Sequence, residues 1–104
     1  MLSSRLIIFL RSALLVLLLV AAGCQTAPPV QEMSDARQAI TAAKEAGAAE
    51  RAPDDLRAAV EFLESAEQSI SAKNYVQARR DAVQAKSKAL NALRRSETDQ
   101  DENP

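Results

Sequence analysis

The sequence has no histidine, no tryptophan and a single cysteine. Histidine is the side chain that titrates near neutral pH, so the commonest group for general acid–base catalysis is missing. The one cysteine, Cys24, can form neither a zinc cluster nor an internal disulfide. We therefore expect a protein that is not an enzyme and that holds no metal and no cofactor.

Aromatic residues are also scarce at 3%, and there are only 2 glycines, so alanine and leucine supply most of the 47% hydrophobic content. Such a composition favours helices over sheets. Basic and acidic residues number 13 and 14, which gives a net charge of -1. Because the chain has no excess of positive charge to attract a phosphate backbone, we predict no nucleic-acid partner.

Residues 1–23 have the layout of a secretory signal, with a basic start at Arg5, an apolar stretch and small residues at the end. A membrane-spanning helix needs about 20 predominantly apolar residues. The apolar run from Leu6 to Ala22 is shorter and contains Arg11. We therefore predict that residues 1–23 are removed rather than kept as a membrane span.

Three small residues, Ala21, Ala22 and Gly23, directly precede Cys24. This pattern resembles the lipobox of bacterial lipoproteins, which implies that signal peptidase II cuts between Gly23 and Cys24 and that fatty acids such as palmitate are attached to Cys24. Two or three acyl chains hold a protein durably on a membrane, whereas a single chain binds only marginally. The alternative is ordinary cleavage that leaves Cys24 as a free thiol, which in an exported protein needs an explanation.

The residue after the cysteine carries a second implication. In lipoproteins of Gram-negative bacteria an aspartate there resembles a signal for retention in the inner membrane, and this chain has Gln25. The resemblance therefore implies delivery to the outer membrane, with the protein facing the periplasm. Residues 24–31 would form the lipidated N-terminus and a spacer, because Pro28 and Pro29 favour extended backbone. In a polyproline II conformation the spacer would hold the domain about 20 Å from the lipid headgroups.

Residues 32–95 are predicted to form the helical domain, because apolar residues recur there every three or four positions. The first helix, at about 31–50, has a face composed of Met33, Ala36, Ile40, Ala43 and Gly47. The second helix, at about 53–72, begins with Pro53 and carries two aspartates at the positive end of its dipole. Its apolar stripe consists of Leu56, Ala59, Leu63, Ala66 and Ile70, with Val60 alongside.

The third helix is predicted at about 74–95, where Asn74 caps the first turn and Gln77 reaches back to it in a capping box. Its apolar face is composed of Tyr75, Ala78, Ala82, Ala85, Ala89 and Ala92, and Val76, Val83, Leu90 and Leu93 are expected to widen that face on one flank. Residues 96–104 contain four acidic residues and no apolar residue before Pro104, so we predict a disordered acidic tail.

A short turn at Lys73 makes the last two helices an antiparallel hairpin, which the first helix can cover. The pairing would place Glu67 opposite Arg79 or Arg80, Glu61 and Glu64 near Lys86, and Asp54 and Asp55 near Arg94 and Arg95. Exposed ion pairs contribute only about 0–1 kcal/mol each, so they select orientation more than they stabilise it. The alternative is that the basic residues face anionic lipid or a wall polymer, and we favour intramolecular pairing.

The alanine spacing also carries a family resemblance. It runs through AxxxIxxAKxAGA (residues 36–48), LxxAxxxLxxA (56–66) and YxxAxxxAxxA (75–85). This pattern resembles the bacterial family called domain of unknown function 4398, whose alanine-rich helical segments occur in lipoproteins. Some relatives place the segment before a peptidoglycan-binding domain resembling outer membrane protein A. A weaker likeness, to a single tetratricopeptide repeat, is interpreted as shared hairpin packing.

These features together predict a small, non-catalytic lipoprotein of the outer membrane that acts in the envelope as a structural or adaptor component through helix contacts. Its first partner would be the membrane, through the anchor on Cys24, and an envelope protein or a second copy would be the next. The alternatives are a self-assembling, coiled-coil-like envelope spacer and a cell-wall-associated module that binds peptidoglycan.

Overall fold

The computed structural model of the chain describes residues 2–24 and 27–102. These residues contain no strand and form five helices: α1 (Leu2–Cys24), α2 (Val30–Glu45), α3 (Ala48–Arg51), α4 (Pro53–Ser71) and α5 (Tyr75–Glu102). Helices α2, α4 and α5 pack together, whereas α1 packs against none of the other described helices. The predicted all-α fold, with a third helix added to an antiparallel hairpin, is confirmed.

Helix α5 is the centre of the bundle, because it packs against both α4 and α2 along its length. Arg79 pairs with Glu32 at 3.4 Å and Lys86 with Asp35 at 3.7 Å, so α2 and α5 run parallel. The α4–α5 hairpin is antiparallel. Consequently the start of α2, the end of α4 and the start of α5 all lie at one end of the bundle, which we call the anchor end because the chain enters it from Cys24, the residue predicted to carry a lipid.

Helix α2 ends at Glu45, earlier than the predicted end at residue 50. The reason is Gly47, whose φ of 88° lies in the left-handed region that glycine adopts without steric cost. The amide of Ala46 donates to the carbonyl of Ala42 and that of Gly47 to Lys44, both at 3.0 Å. The chain then continues as the single turn α3, in which Ala48 is fully buried.

The hairpin turn combines two kinds of helix cap. The amide of Lys73 donates to Ile70 at 2.9 Å and that of Asn74 to Ser69 at 2.8 Å, which is the bonding pattern of a Schellman motif with Lys73 in the left-handed position. Asn74 Oδ1 accepts a bond from the amide of Gln77 at 3.4 Å, so the predicted N-cap is confirmed. The reciprocal half of the capping box is wrong, because Gln77 Nε2 donates to Asp81 one turn further on.

The core is a row of alanines on α5, and all five have no exposed surface: Ala78, Ala82, Ala85, Ala89 and Ala92. Against one half of this row lie Ile40 and Leu56, and against the other half lies Met33. Leu63 packs against both parts of the core. The first helix therefore covers the hairpin with the face that the sequence predicted, while Tyr75 is only half-buried.

The predicted widening of the α5 face is wrong for three residues. Val76 is 57% exposed, Val83 51% and Leu90 39%, whereas Leu93 is half-buried against the core. The alanine row allows α2 and α4 to approach α5 closely. Both neighbours lie on that side of the helix, so the row of larger residues on the other side remains in solvent.

Helix α5 also continues past residue 95, where the sequence analysis placed its end and the start of a disordered tail at 96–104. The structure extends it to Glu102. Ser96 is fully buried, donates from Oγ to the carbonyl of Ala92 at 2.8 Å and accepts a bond on its own carbonyl from Arg51 at 3.1 Å. Contacts with α3 therefore hold a turn that composition alone assigned to the tail. Residues 103–104 lie outside the described residues.

Only one of the predicted hairpin ion pairs forms among the described residues, between Arg95 and Asp55 at 3.3 Å. The others are wrong: α2 supplies the partners of Glu67, Arg79 and Lys86, and Asp54 pairs with Arg57 within α4 at 2.9 Å. Glu67 of α4 pairs with Arg37 at 3.2 Å, and the acidic residues that Arg79 and Lys86 find lie on α2. The exposed carboxylates Glu61 and Glu64 appear in none of the described ion pairs.

Candidate functional site

The candidate modification site is the cysteine at the end of α1. Cys24 closes this helix, directly after Gly23, and the side chain of Cys24 is not among those that the structure describes. Helix α1 exposes large apolar side chains from Leu6 to Leu17, which no part of the bundle covers. Across the part of the chain that the structure describes, no helix has both the length and the apolar character needed to cross a membrane.

The segment between the cysteine and the bundle is shorter than the predicted spacer over residues 24–31. Helix α2 already begins at Val30. Pro29 is fully buried, and its carbonyl accepts the amide of Met33 at 3.0 Å. The chain is therefore fixed to the bundle at Pro29, five residues after Cys24, and residues 25–26 lie outside the described ones.

Arg79 connects this segment to α5. Its Nε donates to Glu32 of α2 at 3.4 Å, and its Nη2 reaches the carbonyl of Ala27 at 3.5 Å. Both side chains of the ion pair are about one third exposed, at 35% each. Arg79 therefore binds groups within the protein rather than an external anion. Its contact with Ala27 holds the segment between Cys24 and α2, the linker, against the start of α5.

Beside Arg79 lies an exposed surface that the sequence analysis did not recognise. We call it the anchor-end patch, and it consists of Lys73, Val76, Arg80 and Val83 around the first turns of α5, together with the separately exposed Val30 at the start of α2 at the same end of the bundle. Val30 is 71% exposed and Val76 57%, and an open depression on α5 runs between Val76, Arg80 and Val83. The sequence signal for it was the seven-residue spacing of the valines, which was assigned to the buried face.

The acidic and basic residues around the patch differ in whether they form ion pairs. Glu32 and Glu67 are engaged by Arg79 and Arg37. Lys73 and Arg80 are exposed and take part in none of the ion pairs formed by the described residues. The anchor end therefore presents two exposed cations without an ion pair next to apolar side chains, and the buried carboxylate of Asp81 also lines the depression between them.

The buried carboxylate of the bundle is Asp81, which is 6% exposed at the α4–α5 interface. It accepts hydrogen bonds from Ser65 Oγ at 2.7 Å and Gln77 Nε2 at 3.0 Å. Both donors are neutral, and the group connects the two helices. Among the residues that can be described, no three histidine, cysteine, aspartate or glutamate side chains converge on a point where a metal ion could sit.

Comparison with known families identifies the bundle. Residues 31–103 match the family described as a domain of unknown function, DUF4398. The chain belongs to this family. The DUF4398 region starts one residue after the beginning of α2 and takes in α3, α4 and α5, whereas α1 and Cys24 precede it. The comparisons with curated proteins and with solved structures give no match.

Proposed function

We propose that this DUF4398 protein is a lipoprotein of the bacterial outer membrane, cut between Gly23 and Cys24 and anchored in the periplasmic leaflet by fatty acids on Cys24. The observation that carries the proposal is the placement of three small residues and a cysteine at the end of α1, a helix of exposed apolar residues that stands apart from the bundle. Removal of α1 would therefore leave the contacts among α2–α5 intact.

The mature domain acts without catalysis, as a structural or adaptor component of the envelope. The arrangement of its polar groups supports this role. Asp81 is occupied by two hydrogen bonds within the bundle, and Arg79 holds the linker. What the bundle offers to other molecules is its outer helix surface, so its function would depend on contact.

Metabolic labelling with a radioactive fatty acid tests the anchor. Wild-type protein should incorporate the label and fractionate with membranes. The Cys24→Ala variant should remain unlabelled and should keep residues 1–23 uncleaved. A Gln25→Ala variant is the matched control, because it alters the neighbouring position and keeps the thiol. An unlabelled wild type would refute the proposal.

The destination is tested separately by the residue after the cysteine. In a Gram-negative host, wild-type protein should sediment with outer-membrane fractions, and Gln25→Asp should move it to the inner-membrane fractions while labelling at Cys24 continues. Labelled wild-type protein in the inner-membrane fractions would be consistent with the lipid anchor but would contradict the outer-membrane assignment.

A second candidate function is a self-assembling envelope spacer. The exposed row Val76, Val83 and Leu90, at seven-residue spacing on α5, is the observation that favours it, because such rows pair helices in coiled coils. Sedimentation of the chain without residues 1–24 distinguishes the two functions. A monomer at high concentration would exclude the spacer, and a concentration-dependent dimer that Val83→Gln abolishes would support it.

A further inference from the structure

The short connection between Cys24 and the bundle fixes which surface is nearest to an anchor. Three residues of extended chain span at most about 11 Å, so Ala27 lies within that distance of the lipid-bearing residue. Ala27 in turn is held by Arg79 of α5. The first turns of α5 must therefore lie close to any bilayer into which Cys24 is inserted.

The surface presented there has the composition of a membrane-contacting face. Val30 and Val76 are among the most exposed apolar residues of the bundle. Lys73 and Arg80, three and four residues from Val76, take part in none of the ion pairs of the described residues. Faces that combine exposed apolar groups with arginine and lysine bind the headgroup region of anionic bilayers.

The opposite end of the bundle carries both signs of charge, because Arg94 and Arg95 there are followed by an acidic run. Glu97 is separated from Tyr75 by about 33 Å along the α5 axis. It begins the acidic run that also includes Asp99, Asp101 and Glu102. An anionic surface would attract the end of the molecule that carries Lys73 and Arg80 and repel this acidic run.

We propose that the anchor-end patch rests on the phospholipid surface that carries the lipid anchor, with Val30 and Val76 among the headgroups and Lys73 and Arg80 beside anionic lipids. The bundle then stands with α5 pointing away from the bilayer. This inference depends on the proposed lipoprotein function, because Cys24 must be acylated for the patch to be held there.

Absence of native tryptophan makes a single introduced indole a unique reporter. Val76→Trp and Leu90→Trp are prepared in the mature, lipidated protein, which begins at Cys24, and reconstituted into phosphatidylethanolamine–phosphatidylglycerol vesicles containing brominated lipid. Leu90 is the matched control, because it occupies the same row about 21 Å further along the α5 axis. Bromine should quench most of the emission of Val76→Trp and leave Leu90→Trp nearly unchanged. Equal quenching at the two positions, whether strong or weak, would overturn the proposal.

A charge test uses the same reporter. In the phosphatidylethanolamine–phosphatidylglycerol vesicles, Lys73→Gln with Arg80→Gln should lower the quenching of Val76→Trp. The expected level is that of Val76→Trp in brominated vesicles of phosphatidylcholine alone. Lys44→Gln with Arg94→Gln removes the same charge at exposed positions on α2 and α5 away from the patch and should have no effect. Equal effects of the two pairs would overturn the role of the patch charges, and circular dichroism checks that each variant is folded.

Flotation of the vesicles separates this inference from the function on which it rests. Wild-type protein that does not float with the vesicles refutes the anchor and the contact together. Protein that floats while Val76→Trp remains unquenched refutes the contact alone.

Discussion

At residue 47 the backbone has a φ of 88°, a conformation in which the Cβ of an L-residue crowds the following carbonyl. Gly47→Ala should lower the free energy of unfolding by about 1–2 kcal/mol. A Cβ at this position would lie 3.7 Å from Arg51 Nε, an ordinary contact, so the loss would come from the backbone. Urea unfolding of the chain without residues 1–24 measures it. Gly47→Asn should lose less, because asparagine tolerates this region, and equal losses would argue against a conformational cause.

Asp81 is the other residue whose replacement has a definite expected cost. Asp81→Ala removes the acceptor for Ser65 Oγ in a half-buried site, and a buried group left without its partner costs about 1–3 kcal/mol. Ser87→Ala, at an exposed position of the same helix, should change stability by less than about 0.5 kcal/mol. Thermal unfolding followed by circular dichroism compares the two. A small effect of Asp81→Ala would show that the site admits water.

The N-cap was predictable at this scale, whereas most side-chain partners across helices were not, Arg95–Asp55 being the exception among the described ion pairs. Asn74 caps α5 because the interaction involves only the next three residues. Gln77 prefers Asp81, which Ser65 of α4 also engages, so its partner depends on how the two helices pack. The lipidation of Cys24 is a chemical expectation from the sequence that the fold neither requires nor opposes.

Among the elements, α5 depends on small residues. Its alanine row brings α2 and α4 close, and Ala85 has no exposed surface. Ala85→Leu should therefore destabilise the bundle by about 1–3 kcal/mol through overpacking. Gln84→Leu adds a leucine at the neighbouring exposed position and should be nearly neutral. Urea midpoints compare the variants, and equal midpoints would mean that the row is loosely packed.

The bounds of α4 and the position of the hairpin turn followed from Pro53 and Asn74, because these signals act within one turn. The exposure of Val76, Val83 and Leu90 did not follow. Periodicity shows that apolar residues share a side of a helix, but it does not show which of two adjacent rows the neighbours cover. The ion pairs of Arg79 and Lys86 were missed because their partners lie on α2, whereas Arg95–Asp55 lies within the hairpin and was predicted.

For the molecule as a whole, the contacts of α5 with both neighbours predict cooperative unfolding. Tyr75 is the only tyrosine and there is no tryptophan, so its fluorescence reports on the start of α5 alone. Transitions in urea followed by this fluorescence and by circular dichroism should coincide if α2 unfolds together with the hairpin. A circular dichroism loss that precedes the tyrosine signal would instead indicate that α2 detaches first. Ile40→Ala should shift both transitions equally.

The burial of Pro29 has a consequence for encounters on a membrane. A lipidated domain on a long, flexible leader tumbles, and a ligand must wait for a suitable orientation and then immobilise it. In this chain Pro29 is buried five residues after Cys24, so in the proposed lipoprotein the domain would keep a restricted orientation toward the bilayer. Any protein diffusing in the same leaflet would then encounter the same surface of the domain each time. Association between them would cost less rotational entropy than association between two untethered molecules.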